Sequence, residues 1–333
     1  MKTIGFCGLP NAGKSTFLKL LTNTEILIAN YPFSTKSPKL AKGYFFSANL
    51  LKLHSITKTN ELMPAYLNFL DVPGLIRGSH QGLGLGNEFL SYLRQADYVL
   101  EIVRNFKRED VSHSEGNIDP ERDILLIEEE IIQSERKIIE ENLLKLKRDQ
   151  SRKEKLEILN FLLNNLQPFK RFPEFKENLK DYNLLLTKEW FLVFNGELII
   201  DISKFKNLCF KNIYQLDFQL ELELQNNQEF QNEFESKLND FLDNLRRDLN
   251  LIEVFTFNNK ITQSWLIENN SLIINFADLV HSDFAKKFKY GEVINLKDLS
   301  SESSWQFLKN KGLVKQVGKD YLLRDNDIIK III

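Results

Sequence analysis

The stretch Gly8-Leu9-Pro10-Asn11-Ala12-Gly13-Lys14-Ser15-Thr16 decides the fold of this 333-residue chain. It fits the pattern G-x-x-x-x-G-K-[ST], in which glycines let backbone N–H groups point inward around phosphate oxygens. The apolar run Thr3 to Cys7 precedes it and the helical pattern Lys14 to Leu21 follows it, which is the strand–loop–helix order that the pattern requires. We therefore expect Asn11 to Thr16 to bind a triphosphate, with Lys14 between the β- and γ-phosphates.

Three side chains are predicted to hold a magnesium ion beside that triphosphate. Ser15 would offer its hydroxyl from the loop. Asp71 follows a second apolar run, Tyr66 to Leu70, and a carboxylate at the end of such a strand can hold the water shell of the ion. Thr35 lies in the segment between the two motifs, where its hydroxyl would either complete the metal shell or merely cap a turn.

The segment that begins at Asp71 is expected to respond to the bound nucleotide. It reads Asp71-Val72-Pro73-Gly74, and Gly74 can donate its N–H to the γ-phosphate. The glycine-rich run Gly78 to Gly86 follows and is typical of a switch loop, because glycines permit large dihedral changes. The motifs together indicate a switch-bearing, GTPase-like nucleoside triphosphatase.

The usual hydrolytic helper is missing from this segment. Leu75 stands where many GTPases carry a glutamine that orients the attacking water. A leucine cannot orient water, so some other group or a metal ion must assist if hydrolysis is fast. His80 and His113 are the two histidines near the predicted catalytic loops.

Apolar runs alternate with helical patterns over much of the chain. The runs that read as further strands are Tyr66 to Leu70, Tyr98 to Val103, Trp190 to Phe194 and Ile213 to Leu216. The helical patterns include Asn87 to Arg94 and Gln228 to Leu249. Such alternation predicts an α/β fold with a mostly parallel sheet and helices on both faces.

Residues 123–167 show only helical spacing, broken once by a polar stretch, which predicts an antiparallel helical hairpin. The turn of this hairpin is locally basic. Its basic residues are Lys145, Lys147, Arg148, Arg152, Lys153 and Lys155, against the acidic Asp149 and Glu154. A solvated charged turn and an RNA-facing tip are both compatible with this composition.

From Glu253 onward the pattern predicts a small α+β domain. The predicted strands are Leu251 to Phe257, Leu272 to Asn275, Gly291 to Leu296, Leu313 to Val317 and Ile328 to Ile333. One helix is predicted near Asp278 to Lys287.

Composition limits the classes of function. The net charge of −2 gives no general attraction to nucleic acid, so DNA is not expected as a partner and RNA would need a local patch. The two cysteines, Cys7 and Cys209, match no metal-ligand spacing. The first residues run straight into a strand, and no apolar stretch is long enough to span a bilayer. We expect a monomeric cytoplasmic protein with no membrane partner.

The motifs resemble those of the YchF, or Obg-like ATPase, branch of translation-factor-class P-loop proteins. The resemblance lies in G-L-P-N-A-G-K-S-T from Gly8, N-Y-P-F-S-T from Asn30, and D-V-P-G-L-I-R-G-S-H-Q-G-L-G-L-G-N-E-F-L from Asp71. It continues through residues 106–124. Near the C-terminus, V-H-S-D-F, G-K-D-Y and D-N-D-I match the TGS domain of that family.

This resemblance implies ribosome-associated ATP hydrolysis and a three-part architecture. Residues 1–122 and 187–252 would form the nucleotide-binding domain, 123–186 the inserted helical hairpin, and 253–333 a ubiquitin-like TGS domain. His113 would be the histidine linked to hydrolysis, and Leu75 the hydrophobic replacement of the catalytic glutamine. The alternatives are that His80 takes this role or that His113 is a plain surface histidine.

The base-recognition motif departs from both known patterns. Guanine is read by N-K-x-D, whose carboxylate accepts two N–H groups of the base, and this motif occurs nowhere in the chain. The family carries N-x-x-E, associated with ATP. Here Asn195-Gly196-Glu197 follows the strand, so either the motif is one residue short or Phe194 has replaced its first position. We expect Asn195 and Glu197 at the base, with Leu220 packed on its face and adenine favoured.

Three functions remain open on the sequence. The first is a magnesium-dependent ATPase switch that reports to the ribosome. Potassium is a candidate second cation for this function, since Asn11 stands where potassium-activated relatives place a ligand. The second is an RNA- or ribosome-binding scaffold with little turnover, and the third is a GTPase that reads guanine by other contacts.

Overall fold

The computed structural model describes residues 2–22, 39–71, 86–146, 153–198, 200–206, 208–226, 237–299 and 305–333. The chain divides into two compact units. Unit 1 comprises Met1–Gly43 and Asn68–Phe234, and unit 2 comprises Tyr44–Leu67 and Glu235–Ile333. Among the described residues, no helix is both long enough and apolar enough to cross a bilayer.

The first half of the chain supplies strands and helices in alternation. In order, these are β1 (Thr3–Cys7), α1 (Lys14–Thr22), β2 (Lys39–Phe45), α2 (Ala48–Thr57), β3 (Glu61–Met63), β4 (Ala65–Asp71), α3 (Gly86–Leu93), β5 (Tyr98–Arg104), α4 (Pro120–Leu146) and α5 (Lys153–Asn164). The second half begins with β6 (Glu189–Asn195), β7 (Phe210–Leu216), α6 (Phe218–Asn226) and α7 (Lys237–Asp248). It ends with β8 (Leu251–Phe257), β9 (Ile261–Glu268), α8 (Ile273–Val280), α9 (Ser282–Lys287), β10 (Tyr290–Asn295), α10 (Trp305–Asn310), β11 (Lys315–Val317) and β12 (Asp327–Ile332).

The sheet of unit 1 has the strand order β2-β4-β1-β5-β6-β7. Strands β4, β1, β5, β6 and β7 pair in parallel. The carboxyl ends of parallel strands meet at one edge of a sheet, so the loops after these strands converge there. The predicted fold class, an α/β protein with a mostly parallel sheet, is confirmed.

Aromatic packing fixes helix α1 against the sheet and against α6. The Phe17 ring lies 5.3 Å from that of Phe6 on β1, and it stacks on Phe218 at 4.4 Å. All three rings are fully buried. Such offset and tilted contacts hold aromatic rings in defined positions, so the start of α1 and the start of α6 are tied to the same core.

Helix α4 is anchored to the rest of unit 1 by two buried ion pairs. Glu128 accepts hydrogen bonds from the guanidinium of Arg171, which also lies 4.4 Å from the ring centre of Trp190. Glu135 accepts from Arg94, the residue directly after α3. Buried charges are tolerated only when they are paired in this way, and removing one partner would leave the other charge uncompensated. The hairpin of α4 and α5 is therefore attached to the sheet of unit 1 through α4.

The sheet of unit 2 has the order β11-β10-β12-β8-β9-β3. Its outer strand β3 comes from residues 61–63 in the first half of the chain and pairs in parallel with β9. The N-cap Ser47 of α2, in the same early segment, donates to the buried Glu253 of β8 at 2.8 Å. Burial raises the pKa of Glu253 to about 7. The early segment is therefore part of the C-terminal core.

Two predictions for the C-terminal region are wrong. The predicted strand Leu272 to Asn275 is instead the start of helix α8, because Ile273, Phe276 and Ala277 bury one helical face. The single helix predicted near Asp278 to Lys287 is two helices, α8 and α9. The chain is extended at His281 between them, where φ is −164° and the imidazole accepts the N–H of Asp283.

Candidate nucleotide-binding site

The phosphate-binding loop lies where the sequence predicts it, between β1 and α1. Gly13 has a backbone φ of +104°, and a Cβ on this residue would lie 2.2 Å from Nδ2 of Asn195. Only glycine fits such a position without strain. The phosphate-binding loop thus approaches the end of β6 so closely that a side chain at position 13 would not fit.

Lys14 is held directly against the loop. Its Nζ donates to the carbonyl oxygens of Gly8 at 2.8 Å and Leu9 at 2.7 Å, and the side chain is buried. The cation is thereby placed at the amino end of α1, where the helix dipole also favours an anion. Both features suit a bound phosphate.

The structure describes some of the residues that are predicted to hold magnesium. Ser15 is exposed in the first turn of α1, and β4 ends at Asp71 beside β1, with Leu70 opposite Gly5. A hydroxyl and a carboxylate are oxygen donors of the kind that Mg²⁺ prefers, so these residues fit the ion. Thr35, Gly74, Leu75 and His80 lie outside the described residues, as does the side chain of Asp71, and their roles stay predictions.

Asn195 joins the phosphate-binding loop to the start of α6. Its Nδ2 donates to the carbonyl oxygen of Ala12 at 2.9 Å, and its Oδ1 accepts the N–H of Phe218 at 3.1 Å. The side chain is buried. A buried amide with both ends bonded fixes the distance between the segments that it bridges. The sequence places Asn195 at the base but gives no sign of these two partners, which are 183 and 23 residues away.

The loop after β5 is organised by Arg104, which the sequence analysis missed. Its guanidinium donates to the carbonyl oxygens of Phe106, Val111 and Ser112 at 3.2, 2.9 and 3.0 Å. Ser112 accepts a second hydrogen bond there, from the side-chain amide of Asn11 at 3.1 Å. The loop is therefore held against the phosphate-binding loop. The available signal was an arginine directly after the apolar run Tyr98 to Val103.

His113, the predicted hydrolytic residue, is buried in this loop. Its Nε2 lies 2.8 Å from Oδ2 of Asp123, in the first turn of α4, and its Nδ1 accepts the N–H of Glu115 at 3.1 Å. Because Nδ1 is the acceptor, the hydrogen-bond network assigns the ring proton to Nε2, which donates to Asp123. Arg122 donates to the other carboxylate oxygen of Asp123. His113 is thus not a surface histidine, and it links the loop beside the nucleotide site to α4.

A buried carboxyl group lies beneath this site. Glu101 on β5 is opposite Cys7 on β1, the residue just before the phosphate-binding loop, and is fully buried. Burial raises the pKa of Glu101 well above its usual value, the charge of Glu128 adds to the rise, and that of Arg171 opposes it. Burial therefore favours the neutral form of the carboxyl group that lies beside the strand leading into the loop.

The predicted base end of the site carries two exposed leucines, one in the loop after β6 and one at the start of α6. Leu198 follows β6 and has 42% of its surface exposed, and Leu220 in the first turn of α6 has 38%. Glu197 is exposed. The three predicted base residues, Asn195, Glu197 and Leu220, therefore lie at or just beyond the carboxyl ends of the adjacent strands β6 and β7.

The basic turn of the hairpin is only partly described. Lys155 pairs with Asp181 at 2.6 Å, and Lys153 lies 3.9 Å from Glu157. Residues 147–152 lie outside the described residues. The described part of the turn therefore carries local ion pairs, and an RNA-facing role stays a prediction.

Comparison with known proteins agrees with this architecture. Residues 3–195 match a family model described as a 50S ribosome-binding GTPase. Residues 251–333 match a YchF-type GTPase C-terminal model, described as a protein of unknown function. A protein of Mycoplasma genitalium described as "Ribosome-binding ATPase YchF" is 31% identical over 98% of this chain and 98% of its own length. The chain belongs to the YchF/Obg-like ATPase family.

Other members of the YchF/Obg-like family are similar over the same span. The Saccharomyces cerevisiae protein described as "Obg-like ATPase homolog" is 31% identical over 98% of this chain and 93% of its own. A solved structure, that of the Schizosaccharomyces pombe YchF GTPase, has a TM-score of 0.80 and 27% identity, covering 99% of this chain and 97% of its own. The names of these relatives therefore differ on the nucleotide, since two of them say ATPase and one says GTPase.

Proposed function

We propose that this chain is a magnesium-dependent nucleoside triphosphatase that hydrolyses ATP, accepts GTP, and acts on the ribosome. The observation that carries the proposal is the phosphate-binding loop, in which Lys14 is held at the carbonyls of Gly8 and Leu9 at the start of α1. The descriptions of the relatives as ribosome-binding ATPases support the choice of nucleotide and partner.

The phosphate end would work by positioning and charge. Lys14 and the backbone N–H groups of the loop would neutralise the triphosphate as charge shifts during transfer, aided by the dipole of α1. Ser15, Thr35 and Asp71 would hold Mg²⁺, which supplies further neutralisation of the phosphate oxygens. Potassium at Asn11 stays a prediction.

His113 is the proposed group that assists hydrolysis in place of a glutamine. Both of its ring nitrogens are hydrogen-bonded, one to Asp123 and one to Glu115. The imidazole would have to exchange at least one of these partners to orient the attacking water. Because Asp123 belongs to α4, that exchange would couple hydrolysis to the helical hairpin, which we propose contacts the ribosome.

The first test is ATP and GTP turnover by the full chain, with Mg²⁺ or with EDTA, and with or without ribosomes. We expect turnover that requires Mg²⁺ and rises with ribosomes. His113→Ala should lower kcat on the order of a hundredfold with little change in KM, whereas the exposed His281→Ala should not. Binding without turnover under all of these conditions would contradict the proposed activity.

The ribosome partner needs a separate test. Co-sedimentation with ribosomes would be measured for the wild type and for a variant with Lys147, Arg148, Arg152 and Lys153 replaced by alanine. We expect weaker co-sedimentation of the variant, with a smaller dependence on salt than the wild type shows, because fewer contacts between cationic side chains and phosphates remain. Unchanged co-sedimentation would remove the basic turn from the proposal.

A scaffold with little turnover is the second candidate. The observation that favours it is the commitment of both His113 nitrogens to protein partners. This candidate predicts the same nucleotide binding and the same ribosome association, with no rise in turnover on the ribosome. The turnover assay above therefore separates the two candidates.

A further inference from the structure

We infer that the base end of this site does not discriminate adenine from guanine, and that Leu198 is the residue responsible. The inference rests on the proposed function, because it assumes that the site binds a nucleoside triphosphate. It specifies the substrate class of that site as purine nucleoside triphosphates in general.

Hydrogen bonds fix the register of the base motif. Asn195 is the last residue of β6 and bridges Ala12 and Phe218 through its side-chain amide. Phe194 is fully buried, with its ring 5.0 Å from that of Phe205. A residue packed into the core cannot join the phosphate-binding loop to the loop before α6. Asn195 is therefore the first position of the motif.

With Asn195 first, the four positions read Asn195-Gly196-Glu197-Leu198. The second position is closed to the lysine of N-K-x-D, because Gly196 has a φ of +120° and a Cβ there would lie 2.5 Å from the carbonyl oxygen of Asn105. The fourth position, which must carry a carboxylate to read guanine, is Leu198. A leucine can neither donate nor accept a hydrogen bond.

The backbone of this loop is fixed, so Leu198 cannot simply exchange places with its neighbour. The N–H of Leu198 donates to the carbonyl oxygen of Asn105 at 3.2 Å, and the Asn105 amide donates back to the Leu198 carbonyl at 2.8 Å. Gln215 on β7 donates to the carbonyl of Gly196 at 3.0 Å. These hydrogen bonds hold the backbone of residues 196–198 to Asn105 on one side and to β7 on the other.

Three of the carboxylates near the start of α6 are either hydrogen-bonded within that segment or buried. Asp217 accepts the N–H groups of Gln219 and Leu220 at 3.0 and 2.9 Å. Glu221 is buried, and Glu223 accepts from the side chain of Gln219 at 2.7 Å. Glu197 is exposed and is therefore an alternative group that could read the base. The binding experiment below tests it with its own variant.

An apolar residue at the fourth position of the base motif predicts weak discrimination between adenine and guanine. A site built to hydrogen-bond one ligand can reject an analogue by four to five orders of magnitude, whereas apolar contacts separate similar ligands by roughly a hundredfold at most. Adenine and guanine have similar faces and differ at their polar edges. Leu198 and Leu220 would contact either face, so we expect Kd values for ATP and GTP within about tenfold of each other.

The test is equilibrium binding of fluorescent N-methylanthraniloyl ATP and GTP to the full chain, with unlabelled nucleotides as competitors. Leu198→Asp should strengthen GTP relative to ATP by about tenfold or more, since it adds a charged acceptor for guanine N–H groups. Leu198→Ala should weaken the binding of both nucleotides and leave the ratio of their Kd values unchanged. Glu197→Gln should also leave the ratio unchanged. Thermal unfolding would check that each variant is folded.

Several outcomes would overturn the inference. A wild-type preference of more than a hundredfold for either base would do so, and so would a ratio that responds to Glu197→Gln but not to Leu198→Asp. If Leu198→Asp does not fold, the wild-type ratio and the Leu198→Ala variant still decide. Failure to bind either nucleotide would instead contradict the proposed function, so the two failures are distinguishable.

Discussion

The phosphate end and the base end of this site are built in different ways. At the phosphate end, backbone groups, one lysine and a helix terminus form a loop that retains every element of its sequence motif. At the base end, the motif keeps its first residue, Asn195, and departs at the second and fourth, Gly196 and Leu198. Phosphates are common to all nucleoside triphosphates and are bound largely by backbone geometry. Bases are read by individual side chains, which can change while the fold stays the same.

The largest expected effect is at the phosphate end. Lys14→Ala should lower turnover of ATP and GTP alike, on the order of 10²- to 10³-fold, because a preorganised charge at the transferring phosphate is lost. Steady-state kinetics would measure this. Lys19 is an exposed lysine on the same helix, so Lys19→Ala is the matched control and should leave turnover almost unchanged. A variant at Lys14 with wild-type turnover would show that the loop is not the reaction centre.

Asn195→Ala would break the connection between the two ends. Two buried hydrogen bonds disappear, and the groups that they satisfied remain buried, so we expect a loss of about 1–3 kcal/mol in the free energy of unfolding. Both ATP and GTP should bind more weakly. Urea unfolding and fluorescent-nucleotide binding would test this, with the exposed Asn160→Ala on α5 as control. Unchanged stability would mean that the bridge contributes nothing.

The link from the phosphate end to α4 can be measured with a double-mutant cycle. His113→Ala, Asp123→Ala and the double variant should show a coupling of about 1 kcal/mol or more in unfolding free energy, because the pair is buried at 2.8 Å. The control pair is Lys204 with Glu121 of the same helix, exposed at 3.2 Å, which should couple weakly. Equal coupling in both cycles would argue against a specific link.

The smallest expected effect is at the base end. Leu220→Ala should weaken ATP and GTP binding by about fivefold each, since roughly 1 kcal/mol of apolar contact would be lost from a partly exposed leucine. The ratio of the two Kd values should not move. Leu144→Ala, on an exposed position of α4, is the control. A change in the ratio would mean that Leu220 reads the base and would weaken the case for Leu198.

Short-range features of the sequence predicted much of the fold. Strands β1, β4, β5 and β6 were found because each is an apolar run beside a motif or a helical pattern. The strand predicted at Leu272 to Asn275 failed because four apolar residues fit a strand and a helical face equally well. No strand or helix was predicted for residues 44–65. Their role in the sheet of unit 2 depends on pairing with residues about two hundred positions later.

The sequence by itself determined the phosphate-binding loop and the family, because that loop needs fixed residue types at fixed spacing on one continuous segment. Only the tertiary structure decided which residue begins the base motif, what His113 is bonded to, and that Arg104 organises the loop after β5. Each depends on hydrogen bonds between segments that fold together without any shared pattern. Residues that act together within one continuous segment can be recognised from the sequence. Hydrogen bonds between distant segments are set by how the strands and helices pack.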